Sequence, residues 1–394
     1  MELRDIKRVS SRLSLNPIPS LGLYIHVPFC RVRCPFCPFY VEIHRQQQAR
    51  SFLDSLKREL CVYSEMTGFH EVPLATVYLG GGTPTTLTTA ELRELLAWIQ
   101  EGFSLTPDVE VSIEVHPGTV TENTLKELRT AGFNRLSLGI QSFDGQELNR
   151  LGGRILNQGP HATVTQARSA GFQNISLDLM YGFPGHTLDA WQYSLDKAIA
   201  LSPEHLSCYA FTVEEGTYFY DEVTKGHVPM PEDGFQLLLE EEAITRLSEF
   251  GYERYEVSNF SQVGYECRHN TRYWQGKAYL GVGPSAQSYV DGVRFGNTPN
   301  LNVYNQCLEE TQLPLEGWDD VPVCRADREN IVFGLRMLNG VVLNNLSEIL
   351  QTDEEWNRSI QSMQEKGLLK IEDGHLRLTT SGIQHADTVA VALL

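Results

Sequence analysis

The chain has no stretch approaching the roughly 20 apolar residues that a membrane span needs. Its first twenty residues, MELRDIKRVSSRLSLNPIPS, carry charges but lack the apolar centre of a secretion signal. Basic charge is scarce as well, with 32 Lys and Arg against 50 Asp and Glu and a formal charge of −18. No local basic patch offsets that balance, which sets aside nucleic acid and anionic membranes as partners. Cysteine, at eight in 394 residues, is too thin for a disulfide scaffold, and no low-complexity linker divides the chain. What remains is a cytoplasmic globular protein long enough for two domains. In a reducing compartment, a tight group of cysteines points to metal or to catalysis.

An internal echo organises the first two thirds. TAGFNRLSLGIQSF (130–143) and SAGFQNISLDLMYGF (169–183) place Gly132 and Gly171 39 residues apart, each closing a helical stretch before an apolar run. EFGYERYEVSNF (249–260) is a fainter copy, and HLSCYAF (205–211) fills the gap before it. Upstream, LGLYIHV (21–27), ATVYLGGG (75–82) and VEVSIEV (109–115) are further β-rich runs, separated by helical patterns such as AELRELLAWIQEGF (90–103). Alternating strands and helices predict parallel βαβ units of the α/β class, and about six in a row predict a full or partial (β/α) barrel. The texture changes late in the chain, where helices lead into a hairpin turning at Asp373-Gly374, the pattern of a winged-helix-like α+β appendage. The acidic helices there favour docking or structural work over DNA reading. The expected divisions are 1–20, 21–300 and 301–394.

Within YIHVPFCRVRCPFCPFY (24–40), Cys30, Cys34 and Cys37 are spaced C-x3-C-x2-C. Pro28, Pro35 and Pro38 make this a loop, leaving the C-terminal end of a strand where such barrels place their chemistry. Three thiols suit two metals. Structural zinc needs a fourth ligand, for which His26, His44 and Cys61 are the candidates. A [4Fe-4S] cluster takes one thiolate per iron, so three leave one iron open. LGGGTPTTL (79–87) lets a backbone or a ligand approach closely, and Glu114, Gln141 and Asp178 each stand as a polar residue near the end of an apolar run.

These motifs resemble the radical S-adenosylmethionine (SAM) superfamily. More closely they resemble its coproporphyrinogen III dehydrogenase-like branch, whose YIHxPFC, GGGTP, RLSxGxQSF, DLMYG and HNxxYW all recur in order. The resemblance implies a radical SAM partial (β/α) barrel whose open iron is chelated by SAM, and release of a 5′-deoxyadenosyl radical. It implies that Tyr24, Gly81 and Glu114 contact that SAM, and that Phe36, Gly82, Thr83, Gln141, Arg154, Asp178 and Ala210 line a second SAM site.

Phe39 stands where the dehydrogenase has a further cysteine, which argues against porphyrinogen decarboxylation. YEVSNF, CRHNTRYW and YLGVGPSAQSYV resemble the heme chaperones of the branch, and that resemblance implies heme as a ligand, His269 as its iron ligand, Tyr273 and Trp274 packing on the porphyrin, and a recipient hemoprotein as partner. The rivals are a HemN-like methyltransferase or cyclopropanating enzyme acting on a small aromatic substrate, and a structural or DNA-binding iron-sulfur protein. Three departures from the pattern stand out: an extra residue in RLGGRIL that shifts Arg154, His116 in place of Asn, and Gln287 in place of His.

Overall fold

The computed structural model describes residues 18–66, 69, 71–152, 159–343 and 353–394. Six strands, β1 (Leu21–Val27), β2 (Leu74–Gly81), β3 (Leu105–Val115), β4 (Arg135–Gln141), β5 (Ile175–Tyr181) and β6 (His205–Ala210), pair in chain order, every pair parallel. Helices 46–65, 89–102, 122–131, 160–169 and 188–200 alternate with them. Thr88, Thr121 and Thr187 start three of these helices by accepting from an amide of the first turn, and Thr88 forms a reciprocal box with Glu91. Gly132 ends the helix that Thr121 starts, and Gly171 follows helix 160–169, at φ 120° and 92°, a conformation that side chains oppose.

The row of six does not close on itself. Beyond β1 lie Tyr279–Val282, parallel to it, and then the antiparallel strands Gln287–Val290, Val293–Asn297 and Leu315–Asp320. Beyond β6, Asn259–Ser261 and Glu253–Arg254 run antiparallel. The third sequence echo therefore ends differently from the first two. Gly251 does turn the chain at φ 81°, but a two-residue antiparallel edge follows it in place of a parallel strand.

Alternation along each strand separates two environments. Leu23, Ile25, Leu79, Ile113, Leu136, Leu138, Leu177 and Leu179 are fully buried in the main apolar core. Each contributes about 1.5–3 kcal/mol relative to exposure. The intervening residues face the hollow of the barrel and are polar: Tyr24 and His26, Tyr78, Glu110 and Glu114, Arg135 and Ser137, Ser176 and Asp178, His205 and Ser207. Helix 46–65 is fastened by a buried carboxylate, since Glu59 accepts from the Gly283 amide at 2.8 Å, Asn297 Nδ2 at 2.7 Å and Tyr304 Oη at 2.6 Å.

A second core, including Ile331, Leu335, Trp356, Ile360, Leu376 and Leu393, belongs to a small C-terminal unit with a three-stranded sheet. Its hairpin turns at Asp373-Gly374, with φ 50° and 75°. The boundary expected at 300 falls too early. Leu301, Tyr304 and Leu308 pack in the main core, and Leu315–Asp320 extends the main sheet, so the second unit starts after Val321.

Candidate functional site

The cysteine loop leaves β1 at the mouth, where the C-terminal ends of the six strands converge. Two short parallel stretches, Phe29–Cys30 and Glu42–Ile43, close its neck, with Glu42 N on Pro28 O at 2.6 Å and His44 N on Cys30 O at 2.9 Å. Within the loop, Cys37 N donates to Cys34 O at 3.2 Å. The three thiols are unbridged and partly exposed. Burial raises the pKa of all three, Cys34 to about 11, and the other two thiols add to the rise at Cys34. Such thiols are poor free nucleophiles and good candidates for a metal that takes up their charge.

This donor set fits a cluster better than zinc. Among the described residues no three His, Cys, Asp or Glu side chains converge as one ion requires, whereas a cluster gives each thiolate its own iron. Of the fourth-ligand candidates, His26 is taken by Tyr24 Oη at 3.2 Å and Tyr40 O at 2.9 Å, and Cys61 is exposed on helix 46–65. His44, whose amide is bonded to Cys30 O, lies edge-on to Phe29 with its Nε2 buried and unpartnered among the described residues.

The glycine strip that ends β2 packs mainly against the protein itself. A Cβ on Gly80 would come within 2.8 Å of Glu114 Oε1, one on Gly81 within 2.6 Å of the His26 ring, and one on Gly82 within 2.6 Å of Phe29 O. The close approach expected for a ligand is thus used at Gly82 to seat the cysteine loop, with Gly82 N on Val27 O at 2.9 Å and Thr83 N on Phe29 O at 2.7 Å. Thr83 Oγ1 lies 3.6 Å from Cys30 Sγ. Glu114 reaches across from β3, accepting from Tyr78 Oη at 3.0 Å and the Gly81 amide at 3.2 Å. Burial, followed by the charge of Asp178, pushes its pKa up to about 7.

Deeper in the hollow, Asp178 accepts from Ser137 at 2.9 Å, Ser176 at 3.1 Å and Ser207 at 2.7 Å. Glu114, Asp178 and Tyr209 have pKa values raised by desolvation yet remain partly exposed, Tyr209 by 41 %, so they line an open hollow. Gln141 ends β4 at φ 65°, where the register slips between Gly139 and Gln141. That conformation costs a non-glycine residue about 1–3 kcal/mol and recurs at binding sites. Ala210 ends β6 at the exposed rim. Phe36 packs with Leu151, Phe183, Phe211 and Phe219, pinning the cysteine loop to the loops after β5 and β6. Arg154 lies outside the described residues.

HNTRYW forms the helix Arg268–Trp274, and it seats at the base of the barrel, not at the mouth. Glu110 of β3 accepts from the amides of Arg268 and His269, each at 3.1 Å. His269 is 1 % exposed, its Nδ1 2.8 Å from Thr76 Oγ1 and its Nε2 2.7 Å from Tyr273 Oη, and its ring stacks on Tyr78. With both ring nitrogens taken, this arrangement leaves none free for an iron. Arg135 is buried beside this plug, and its Nε and Nη1 have no hydrogen-bond partner among the described residues. Residue type alone did not reveal Glu110, Thr76 or Arg135 as the plug's partners.

A cleft of about 490 Å³ opens beside the cysteine loop. Pro38, Phe39 and Tyr40 form its rim, Tyr24 and His26 its inner end, Tyr273 and Trp274 one wall, and Tyr279, Tyr289 and Arg294 another. Asn330 and Phe333 of helix 323–334 cover it. A larger cavity, about 600 Å³, lies by Ser20, Thr76, Arg272 and Lys277 at the base, away from the cysteines. Tyr279 and Tyr289 stand in YLGVGPSAQSYV, where a tyrosine at each end of a loop was the available signal.

Comparison with known proteins agrees with this layout. Residues 24–198 match the radical SAM superfamily, and 327–385 match the HemN C-terminal domain. The heme chaperone HemW of Bacillus subtilis is 32% identical over 362 residues, covering 91% of this chain and 95% of that protein. The heme chaperone HemW of Mycobacterium tuberculosis is 34% identical over 386 residues, covering 96% and 97%. The structure of coproporphyrinogen III oxidase (HemN) from Escherichia coli shares the fold, with a TM-score of 0.86 at 24% identity over 100% of this chain and 93% of that one. The superfamily's cofactors are SAM and a [4Fe-4S] cluster. The chain thus belongs to the radical SAM superfamily and, within its HemN and HemW branch, to the family of the HemW-type heme chaperones.

Proposed function

We propose that the protein binds SAM and a [4Fe-4S] cluster, takes up heme in the aromatic cleft, and delivers it to recipient hemoproteins in the cytoplasm. The cleft carries this assignment: Tyr273 and Trp274 of HNTRYW line it, Tyr24 stands at its inner end, and the cysteine loop is its rim. Its volume falls in the range of sites for large organic ligands, and aromatic walls supply most of the affinity for a flat apolar ring. His269 acts on heme through Tyr273, whose hydroxyl it holds.

Cys30, Cys34 and Cys37 hold the cluster, which when bound supplies the electron for SAM cleavage. Tyr24, Gly81 and Glu114 meet the cluster-bound SAM, and Phe36, Gly82, Thr83, Gln141, Asp178 and Ala210 line a second SAM site. Glu114 carries its proton close to neutral pH, so an incoming ammonium both displaces that proton and gains an ionic partner. Thr83 stands beside Cys30, where a hydroxyl donor stabilises a bound thiolate.

Titration of anaerobically reconstituted protein with hemin and with SAM, followed in the visible spectrum, tests the proposal. Saturable hemin binding that Trp274→Ala weakens, with transfer to an apo-hemoprotein, is the expected result. No saturable hemin binding, together with S-adenosylhomocysteine and 5′-deoxyadenosine formed on a small aromatic substrate, establishes the methyltransferase instead.

A further inference from the structure

Among the described residues that line the aromatic cleft, Arg294 is the one permanent cation and there is no carboxylate. Its guanidinium lies over the rings of Tyr289 and Phe333, at 5.1 and 5.5 Å. It points toward Glu329 of helix 323–334, with Nη1 2.5 Å from Oε2, yet that oxygen accepts no well-directed hydrogen bond. Glu329 has a second cation, Arg325, whose Nε is 3.3 Å from Oε1. If Arg294 turned away, Glu329 would therefore keep an ionic partner and escape the cost of an unpaired buried charge. The phenols of Tyr279 and Tyr289, on neighbouring strands beside Arg294, have no hydrogen-bond partner among the described residues, and their rings lie 6.5 Å apart.

A wall of unpartnered phenols around one exchangeable guanidinium selects for a broad aromatic ring with an acidic group at its edge. We propose that Arg294 is the carboxylate anchor of this cleft, exchanging Glu329 for an acidic substituent of a planar tetrapyrrole. The proposal rests on the heme assignment above and adds what holds the ligand's polar edge. The exchange breaks an ion pair between the main sheet and helix 323–334, so occupancy of the cleft is felt by the C-terminal unit.

Hemin and its dimethyl ester separate ring packing from carboxylate pairing. Wild-type protein is expected to bind hemin about tenfold more tightly than the ester, as one charge-assisted contact predicts. Arg294→Gln should lose that tenfold for hemin while binding the ester unchanged and retaining its iron-sulfur absorbance. Arg294→Lys should recover part of the preference, and Glu329→Gln, which removes the competitor, should tighten hemin binding. If Arg294→Gln binds hemin as wild type does, or loses hemin and ester equally, Arg294 is not the anchor. If wild-type protein prefers neither ligand, the anchor fails while the heme assignment stands. If wild-type protein binds neither, both fall.

Discussion

The two ends of the barrel are made from the same six strands and finished in opposite ways. At the base, the helix Arg268–Trp274 fills the opening, Glu110 holds its first two amides, and the ring of His269 is bonded at both nitrogens. At the mouth, Glu114, Gln141, Asp178 and Tyr209 remain within reach of solvent, and the cysteine loop stands over them. The base holds His269 and the helix amides bonded within the protein and out of solvent, whereas at the mouth Glu114 and Asp178 keep solvent contact although both are bonded as well. A polar residue inside a barrel therefore says little about function until its partners are known.

The strongest test of the contrast is at the mouth. Replacing Cys30, Cys34 or Cys37 by Ala should abolish cluster retention, measured as iron and visible absorbance after reconstitution, while the melting temperature changes little. Retention of about four irons by a triple variant would place the cluster elsewhere.

Next in size is a loss of stability at the base. Glu110→Ala leaves two helix amides without their acceptor and removes a carboxylate whose charge acts on buried Arg135, and removing one member of such a buried set costs about 3 kcal/mol. Denaturant unfolding reads that loss. An unchanged midpoint would mean that the helix is held by other contacts.

Glu114→Gln should act the other way, weakening SAM binding about tenfold by titration with little change in stability at neutral pH. The two ends should also answer pH with opposite signs. Glu114 has its pKa raised from 4.5 to about 7, so its contribution is full below pH 4.5 and is lost as pH rises through 7. Glu59 follows the same course, so the Gln variant keeps only part of the alkaline decline. Burial lowers His269 from 6.5 to about 3, so its contribution is full above pH 6.5 and is lost as pH falls toward 3, and His205 is lowered in the same direction. The two windows overlap, and their slopes offset each other between pH 4.5 and 6.5, so melting temperatures should be nearly flat there, fall as pH rises through 7 and fall again as pH drops toward 3.

The last test of the contrast is His269→Ala. If the ring is part of the plug, stability drops by about 2 kcal/mol through the loss of the Thr76 and Tyr273 bonds, and hemin affinity falls only modestly. If the ring binds iron directly, the Soret band changes strongly while the melting temperature holds.

Much of this architecture was legible in the sequence. The strands stood out because their outward residues form apolar runs, and Gly132 and Gly171 punctuate the helices before β4 and β5. The cysteine loop declared itself by spacing. What stayed hidden depends on pairing across strands. Ser137, Ser176 and Ser207 look like ordinary strand residues until parallel register sets them around Asp178. HNTRYW offers an imidazole and two aromatics that suit heme, and nothing local shows that Thr76 and Glu110, more than 150 residues earlier, claim its first half for the base of the barrel. The boundary placed at 300 missed for a similar reason, since Tyr304 belongs to the main core through its bond to Glu59, whose partners are far apart in the chain.

The zipped neck of the cysteine loop bears on the order of assembly. Its bonds, between Pro28 and Glu42 and between Cys30 and His44, join main-chain groups only, as do the seats of Gly82 and Thr83 against the same segment. Bonds of this kind draw on no metal ligand, so folding of the neck restricts the loop that carries the three thiols and leaves less chain entropy to lose on metal binding. A zinc finger works the other way, since there the metal has to recruit the fold.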